Sequence, residues 1–192
     1  MAIALSKSKF YTPEEYLTLE IESEVRNEYR NGEIVTMTGG TPAHNQIISA
    51  LNALLWFGLR RKPYSLFVTD QRLWIPDCNL YTYPDGMVIK NPVELKPGRK
   101  DTVMNPLLIL EVLSDSTKDY DKGKKFSAYQ TLSTFQEYLL IDQAQVQIEQ
   151  YVKQPDDQWF LTKYNDINVK ILLDCINLEI ALVDIYENLS FL

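Results

Sequence analysis

Apolar residues recur at helical spacing after Thr41-Pro42, and this pattern predicts an amphipathic helix. A shorter helix is predicted from Thr12-Pro13 to about Ile21, because a capping residue, a first-turn proline and early acids mark a helix start. A third helix is predicted over residues 118–132. The apolar face of the helix after Thr41-Pro42 comprises Ile47, Ile48, Leu51, Leu54, Leu55 and Leu59.

Strands are predicted where short runs of β-branched, aromatic or other apolar residues lie between turn residues. The run 106–113 is continuously apolar, which is typical of a strand buried on both faces. Asn31-Gly32 and Gln154-Pro155-Asp156-Asp157 each separate two strand-like runs, so we expect a β-hairpin at each position. The predicted strands are 25–30, 33–37, 65–75, 83–90, 106–113, 137–142, 145–152 and 158–164, with one more strand and a terminal turn in the remainder.

This order of elements predicts an α/β (α+β) fold with a mixed central sheet flanked by helices. A length of 192 residues suits one domain spanning residues 1–192. We divide it into an N-terminal helix and hairpin (10–40), a core (41–142) and a C-terminal hairpin extension (143–192).

The apolar stretches and the cysteines bear on where the protein is expected to reside. The longest apolar stretch, around Leu107–Leu110, is too short to cross a bilayer, which needs about 20 residues. Met1–Phe10 lacks the apolar core of a signal peptide. Cys78 and Cys175 do not have the spacing of a metal site. We therefore expect a cytoplasmic protein with reduced cysteines and no membrane contact.

The net charge of −7 is concentrated in the segment from Asp142 to the end, which holds nine acids and three lysines. Nonspecific binding of nucleic acid depends mostly on phosphate neutralisation, so an acidic chain binds it poorly. The rest of the chain is nearly neutral, and a nucleic-acid substrate stays compatible with the sequence.

Carboxylates are the first candidates for chemistry, because the single histidine excludes a multi-histidine zinc site and no glycine-rich phosphate loop or serine-nucleophile motif is present. Glu111 lies inside an apolar strand, where a carboxylate is costly unless it is paired or bound to metal. Asp85 lies between Pro84 and Gly86, at the start of the apolar run 87–89. On neighbouring strands, about 5 Å apart, the two acids can meet and offer hard oxygen ligands to Mg²⁺ or Mn²⁺. The alternatives are that Glu111 faces water at the strand end or pairs with a basic side chain, and that Asp85 is an ordinary turn residue.

Lys125 is the third candidate. On a helical wheel for residues 118–132 it falls in the middle of the apolar stripe, whereas Lys124 falls off one edge. A lysine at that position should meet a carboxylate or reach a site, unless it extends along the stripe to solvent. The stripe is defined by Ala128, Tyr129 and Leu132.

An aspartate, a glutamate in an apolar strand and a lysine-bearing helix together resemble the PD-(D/E)XK nuclease superfamily. More closely, the chain resembles the Uma-two family, also called domain of unknown function 820, in motifs that cover most of its length in the right order. These motifs are Thr12-Pro13-Glu14-Glu15-Tyr16-Leu17, Glu28-Tyr29 with Gly32-Glu33, Met37-Thr38-Gly39-Gly40 with His44, Tyr83-Pro84-Asp85, Asn105-Pro106 with Glu111-Val112-Leu113-Ser114, Asp121-Lys122-Gly123-Lys124-Lys125-Phe126 with Tyr129, and Glu137-Tyr138-Leu139-Leu140.

The resemblance implies a restriction-endonuclease-like core with Asp85 and Glu111 as ligands of Mg²⁺ or Mn²⁺. The superfamily places its lysine two residues after the glutamate, but Leu113 holds that position here. The family resemblance implies a lysine from the following helix instead, which is Lys125. The expected catalytic residues are therefore Asp85, Glu111 and Lys125.

Three further polar residues are expected to line the site. Glu28 and His44 match polar positions of the family. His44 lies near a helix start, where the helix dipole disfavours a charged imidazole, so we expect it to be neutral, with simple helix capping as the alternative. Asp70, on the strand before Asp85, is an additional ligand candidate.

Two functions follow from these expectations. The first is divalent-metal-dependent hydrolysis of phosphodiester bonds in nucleic acid, with DNA favoured. The alternative is a non-catalytic interaction module that retains the nuclease fold. A homodimer is also expected, because the chain has more large apolar groups than a small monomer easily buries, and two active sites would suit two strands. Those groups are Trp56, Phe57, Trp74, residues 80–83 and Trp159-Phe160.

Overall fold

The structure, a computed structural model, describes residues 9–189. Its helices are α1 (Pro13–Glu22), α2 (Pro42–Leu59), α3 (Lys118–Tyr120), α4 (Phe126–Tyr129) and α5 (Leu182–Tyr186). Its strands are β1 (Asn27–Arg30), β2 (Glu33–Thr36), β3 (Tyr64–Val68), β4 (Arg72–Ile75), β5 (Leu80–Thr82), β6 (Gly86–Lys90), β7 (Thr102–Val103), β8 (Leu108–Leu113), β9 (Glu137–Asp142), β10 (Ile148–Lys153), β11 (Trp159–Tyr164), β12 (Lys170–Leu173) and β13 (Leu178–Ala181).

A six-stranded mixed sheet in the order β11-β10-β9-β8-β6-β3 forms the centre of the fold, as predicted. Strand β8 pairs in parallel with β9 and antiparallel with β6. All six residues of β8 are buried, which confirms the strand predicted from its apolar run around Glu111. Glu111 therefore lies in the interior of the molecule.

A second sheet of five strands, in the order β2-β1-β5-β4-β7, lies beside the central one. The N-terminal hairpin β1-β2 belongs to it. The predicted Asn31-Gly32 turn is confirmed, because both residues have the positive φ angles, 46° and 104°, that this connection needs. The hairpin delivers Glu28 and Arg30 to the side of the central sheet that carries Asp85.

Helix α2 begins at the predicted place, with the Thr41 side chain accepting a hydrogen bond from the backbone of His44. Its apolar face packs into one core of the protein, where Ile47, Leu51, Leu55 and Leu59 are buried. A separate core contains Ala128, Tyr129 and Leu132, the stripe predicted for residues 118–132. Each core packs against residues of the central sheet, so helices flank it as expected.

The predicted single strand over residues 65–75 is wrong. The chain turns at Thr69, which has a φ of 40°, and continues as two strands that belong to different sheets. The strand predicted over residues 83–90 is present but begins only at Gly86, because Tyr83-Pro84-Asp85 connects β5 in one sheet to β6 in the other. Asp85 thus lies where the two sheets meet.

The predicted helix 118–132 is interrupted. Residues Asp121–Lys125 form a π-helical turn between α3 and α4, and the helix ends at Tyr129. Single π-turns inside helices occur frequently at functional sites. Here the turn carries both Asp121 and Lys125, and both side chains are buried.

The C-terminal hairpin β10-β11 is confirmed, and it extends the central sheet through β9. The remainder holds the paired strands β12 and β13 and helix α5 rather than a single strand. Most of Met1–Phe10, where a signal peptide was not expected, lies outside the described residues. Within residues 9–189, no helix has both the length and the apolar character needed to cross a bilayer.

Candidate active site

Asp85 and Glu111 lie side by side at the edge of a cleft. Strands β6 and β8 are antiparallel with Gly86 opposite Leu110, so Asp85, which precedes Gly86, comes next to Glu111, which follows Leu110. The Asp85 backbone N–H donates to Glu111 Oε2 at 3.4 Å. The Val112 backbone N–H donates to Asp85 Oδ2 at 2.8 Å. These bonds fix both carboxylates against the sheet, as expected for acids on neighbouring strands.

Lys125 reaches the same place from the helical segment. Its Nζ lies 2.8 Å from Glu111 Oε1 and 3.5 Å from Asp121 Oδ1. Glu28 Oε1 is 3.7 Å from the same nitrogen. Lys125 is 4% exposed, so it does not extend along the stripe to solvent. By contrast Lys124 is exposed, as the helical wheel predicted.

Neighbouring side chains hold Glu111 and Glu28 in place. The Tyr129 hydroxyl donates to Glu111 Oε1 at 2.7 Å. Glu28 accepts from the Thr82 hydroxyl through Oε1 and from Arg30 through Oε2. The cluster is therefore preorganised: each of these carboxylates meets two donors that come from different elements of the fold.

Burial dominates the electrostatics of the cluster. Removal of Glu111 from water raises its pKa to about 8, and the nearby Asp85 adds to this effect while Lys125 opposes it. Burial also disfavours the charged form of Lys125, but Glu111, Glu28 and Asp121 outweigh this and raise its pKa well above the usual value. Burial, reinforced by the nearby carboxylates, therefore leaves Glu111 hard to ionise although Lys125 lies beside it.

His44 lies in the cleft, where its surroundings raise its pKa rather than lower it as expected from the helix start. Its Nε2 is 3.3 Å from Asp85 Oδ1. Burial lowers the pKa of the imidazole, yet the hydrogen bond and charge of Asp85 outweigh this effect and raise the pKa above its ordinary value. The carboxylate partner thus overrides the helix-start effect. The backbone N–H of His44 bonds to Thr41, so capping is the task of Thr41.

The cleft has a volume of about 460 Å³. Four carboxyl groups, of Glu28, Asp85, Glu111 and Asp121, line it together with the two cations of Arg30 and Lys125. Acidic groups therefore outnumber permanent cations in the lining. An oxygen-rich site with excess negative charge has the donor chemistry that suits a divalent cation.

Asp85 Oδ1 and Glu111 Oε2 fit the role of metal ligands best. The shorter contacts, of 2.7–2.8 Å from Lys125, Tyr129 and the Val112 N–H, go to the other oxygen of each carboxylate. Asp85 Oδ1 and Glu111 Oε2 have only longer contacts, at 3.3 Å from His44 Nε2 and 3.4 Å from the Asp85 N–H. Within residues 9–189 no group of three or more histidine, cysteine or acidic side chains is arranged to hold a metal ion. Two carboxylates nevertheless match the way Mg²⁺ is commonly held in phosphate-handling sites, where waters and substrate complete its shell.

Asp70 is not brought to the cleft. It lies in the turn after β3, its side chain is 75% exposed, and it pairs with Arg26 at 3.2 Å. The placement failed because residues 65–75 are two strands. Sequence reasoning also missed Asp121 as a site residue, although it lies four residues before Lys125 and so on the same helix face.

Comparison with known proteins identifies the family. Residues 13–183 match the Uma2 family, which is described as "Putative restriction endonuclease". The chain belongs to the Uma2 family. This finding confirms the resemblance inferred from the sequence motifs.

Two curated relatives of this Uma2 chain come from Synechocystis sp. strain PCC 6803, and both are uncharacterized proteins. One, sll1609, is 38% identical over 169 residues, which cover 88% of this chain and 96% of the relative. The other, slr1290, is 34% identical over 180 residues, which cover 94% and 93% of the two chains.

A solved structure shares the fold of this Uma2 chain. It is a crystal structure from Anabaena variabilis of a "putative nuclease belonging to DUF820", with a TM-score of 0.74 and 17% sequence identity. The match covers 92% of this chain and 98% of the other. The expected restriction-endonuclease-like fold is thereby confirmed.

Proposed function

We propose that this Uma2 chain is a divalent-metal-dependent endonuclease that hydrolyses phosphodiester bonds of nucleic acid, with DNA favoured. The observation that carries the proposal is the convergence of Asp85, Glu111 and Lys125 in one cleft, with Lys125 Nζ 2.8 Å from Glu111 Oε1. The family description as a restriction endonuclease supports the same reaction class.

Asp85 and Glu111 are the proposed ligands of Mg²⁺ or Mn²⁺. When bound, such an ion polarises a phosphate oxygen and lowers the pKa of its water. Glu111 is held in position by Tyr129, and Asp85 by the Val112 backbone. His44 Nε2 lies 3.3 Å from Asp85 Oδ1 and helps to hold that carboxylate in position.

Lys125 is the proposed electrostatic catalyst. A positive charge fixed beside Glu111 can stabilise the negative charge that develops on the phosphate, and preorganised charge of this kind is commonly worth a few kcal/mol. Glu28 and Asp121 position the lysine from the sides of the cleft. An ammonium group has no lone pair while protonated, so Lys125 does not act as a metal ligand.

A nuclease assay with Mn²⁺ tests this proposal. Wild-type protein should cleave plasmid DNA or a labelled oligonucleotide of DNA or RNA, and the Asp85→Asn and Glu111→Gln proteins should not. Asp115→Asn is the matched control, because Asp115 is fully exposed and its ion pair with Lys118 lies on the surface. Wild-type protein that binds Mn²⁺ and cleaves none of these substrates would contradict the enzymatic function.

One observation favours the alternative of a non-catalytic interaction module. Lys125 already contacts three carboxylates and is almost fully buried, so its charge is balanced within the chain. A buried network of this kind can serve the structure alone. Retained Mn²⁺ binding without cleavage is the result that this alternative predicts.

A two-fold dimer is the proposed assembly. Trp56, Phe57 and Phe160 remain exposed, which is consistent with an interaction surface. Residues 80–83 contribute nothing to such a surface, because they are buried within the chain. Light scattering should give twice the chain mass of 22.3 kDa at micromolar concentration, and a particle of 22.3 kDa would contradict the dimer.

A further inference from the structure

Arg30 is a cation of the cleft that the proposed chemistry does not use. Its side chain lines the cleft and is 35% exposed, whereas the other basic side chain with a permanent charge in the lining, Lys125, is buried. Among the described residues that line the cleft, Arg30 is therefore the permanently charged base that is accessible to a molecule entering from solvent.

The guanidinium of Arg30 is held rigidly from one side. Its Nε and Nη2 donate to Glu28 Oε2 at 2.8 and 2.5 Å. The face of the group lies 3.8 Å from the centroid of the Tyr120 ring, within cation–π range. A long side chain that is already fixed loses little further freedom when it binds a ligand.

The same contacts leave donors of Arg30 available. A guanidinium carries five N–H groups in a planar fork. Two atoms of the fork bond to Glu28, and no acceptor for Nη1 is found within residues 9–189. The remaining N–H groups match the planar, two-oxygen geometry with which arginine binds phosphate.

Glu28 connects this arginine to the proposed catalytic lysine. One carboxylate oxygen accepts from Arg30, and the other lies 3.7 Å from Lys125 Nζ. The two cations therefore lie at opposite ends of a single buried carboxylate. A strand of nucleic acid that places one phosphate near Lys125 and the proposed ion would carry its neighbouring phosphate toward Arg30.

We propose that Arg30, seated on Tyr120 and Glu28, is a phosphate-binding residue that holds the phosphate next to the one being hydrolysed. The identity of this ligand as nucleic acid rests on the proposed function. An acidic chain with a net charge of −7 offers little long-range attraction to a polyanion, so a fixed cation inside the cleft supplies affinity where the overall charge does not.

A titration with thymidine 3′,5′-bisphosphate tests the proposal without measuring cleavage. This probe has two phosphates on one nucleoside and no phosphodiester bond to hydrolyse. Calorimetry in buffer with Mn²⁺ should show that Arg30→Gln weakens binding about tenfold or more, the usual worth of a charge-assisted hydrogen bond. Arg30→Lys should recover part of the affinity, because it keeps the charge but not the fork.

Arg26→Gln is the matched control. Arg26 immediately precedes β1 of the same hairpin. It also pairs with a carboxylate, Asp70, but it does not line the cleft. It should bind the bisphosphate within about twofold of wild type, since an exposed ion pair contributes little.

Three results would overturn the role of Arg30: no binding of the bisphosphate by wild type, equal binding by wild type and Arg30→Gln, or an equal loss in Arg26→Gln. Arg30→Lys covers the case in which Arg30→Gln fails to fold, because it keeps a positive charge beside Glu28. If the wild type binds Mn²⁺ and cleaves nucleic acid, but Arg30→Gln binds the bisphosphate as tightly as the wild type does, only this inference fails. If wild type binds no Mn²⁺ and Arg30→Gln still weakens the bisphosphate, only the proposed function fails.

Discussion

Lys125 Nζ lies 2.8 Å from Glu111 Oε1, although the lysine follows the glutamate by fourteen positions rather than by the two of the superfamily motif. Leu113, at the motif position, is buried in the apolar core that also contains Tyr129. The helical segment thus supplies from another direction the positive charge that a strand residue would otherwise provide.

Lys125→Ala should lower the cleavage rate by roughly a hundredfold or more while leaving the affinity for Mn²⁺ within a few fold of wild type. The expected loss is in the rate because the ammonium group stabilises developing charge and does not coordinate the ion. Single-turnover kinetics and Mn²⁺ calorimetry on the same preparations separate the two effects. Lys124→Ala is the control, since Lys124 is exposed. Equal rates for both variants and wild type would remove Lys125 from the mechanism.

Asp85→Asn and Glu111→Gln should each abolish Mn²⁺ binding measured by calorimetry, because each removes one of the two proposed ligands. In metal-free buffer, Glu111→Gln should raise the melting temperature, since burial and Asp85 already disfavour the charged form of Glu111 at neutral pH. Asp70→Asn is the control, because Asp70 lies outside the cleft. Undiminished Mn²⁺ binding by the Asp85 and Glu111 variants would contradict the ligand assignment.

Glu149 should make the protein sensitive to acid. Burial opposes its ionisation, but hydrogen bonds and charges of Lys163 and Lys122 outweigh burial and lower its pKa below the ordinary 4.5. A lowered pKa in the folded state adds stability above pH 4.5, and this contribution is lost as the pH falls through the folded-state value.

Denaturant unfolding of Glu149→Gln tests this relation. The variant should be less stable than wild type at pH 7, and the difference should shrink as the pH drops below 4.5. Glu179→Gln is the control, because Glu179 pairs with Lys170 on the surface and should change stability little at either pH. A stability difference that is independent of pH would show that the lysine pairs do not stabilise the charged form of Glu149.

Tyr81→Phe should leave the free energy of unfolding unchanged or raise it by about 1 kcal/mol. Within residues 9–189, the Tyr81 hydroxyl is buried and has no hydrogen-bond partner, so its removal relieves a desolvation cost. Tyr16→Phe is the matched comparison, because Tyr16 belongs to the same aromatic cluster but donates to the Asn27 carbonyl at 2.7 Å. Urea unfolding should show Tyr16→Phe destabilised, and a larger loss in Tyr81→Phe would contradict the assignment.

Local signals in the sequence were enough to predict most elements of the fold. The capping box of Thr12 and Glu15, the Asn31-Gly32 turn and the apolar run of β8 around Glu111 each depend on neighbours in the chain. The location of Lys125 in the core-facing stripe was predictable for the same reason.

The division between the two sheets could not be read from the same signals. Thr69 adopts a positive φ with no glycine or asparagine at that position to indicate it, so the break after β3 was missed and Asp70 was placed wrongly. The raised pKa of His44 was equally inaccessible, because it depends on Asp85, forty-one residues away along the chain. Such contacts arise from the tertiary structure and leave no periodic trace in the sequence.

The π-helical turn at Asp121–Lys125 adds chain to a segment whose side chains are anchored at several points. Within the turn Lys122 pairs with Glu149, and four residues after the turn Tyr129 donates to Glu111. A descendant that lost one residue here, such as the exposed Gly123, would regain a regular helix and turn Lys122 or Lys125 away from its partner. Deletion of a single codon would thus leave the fold in place but disrupt the proposed active site, without the replacement of any acid or base in the cleft.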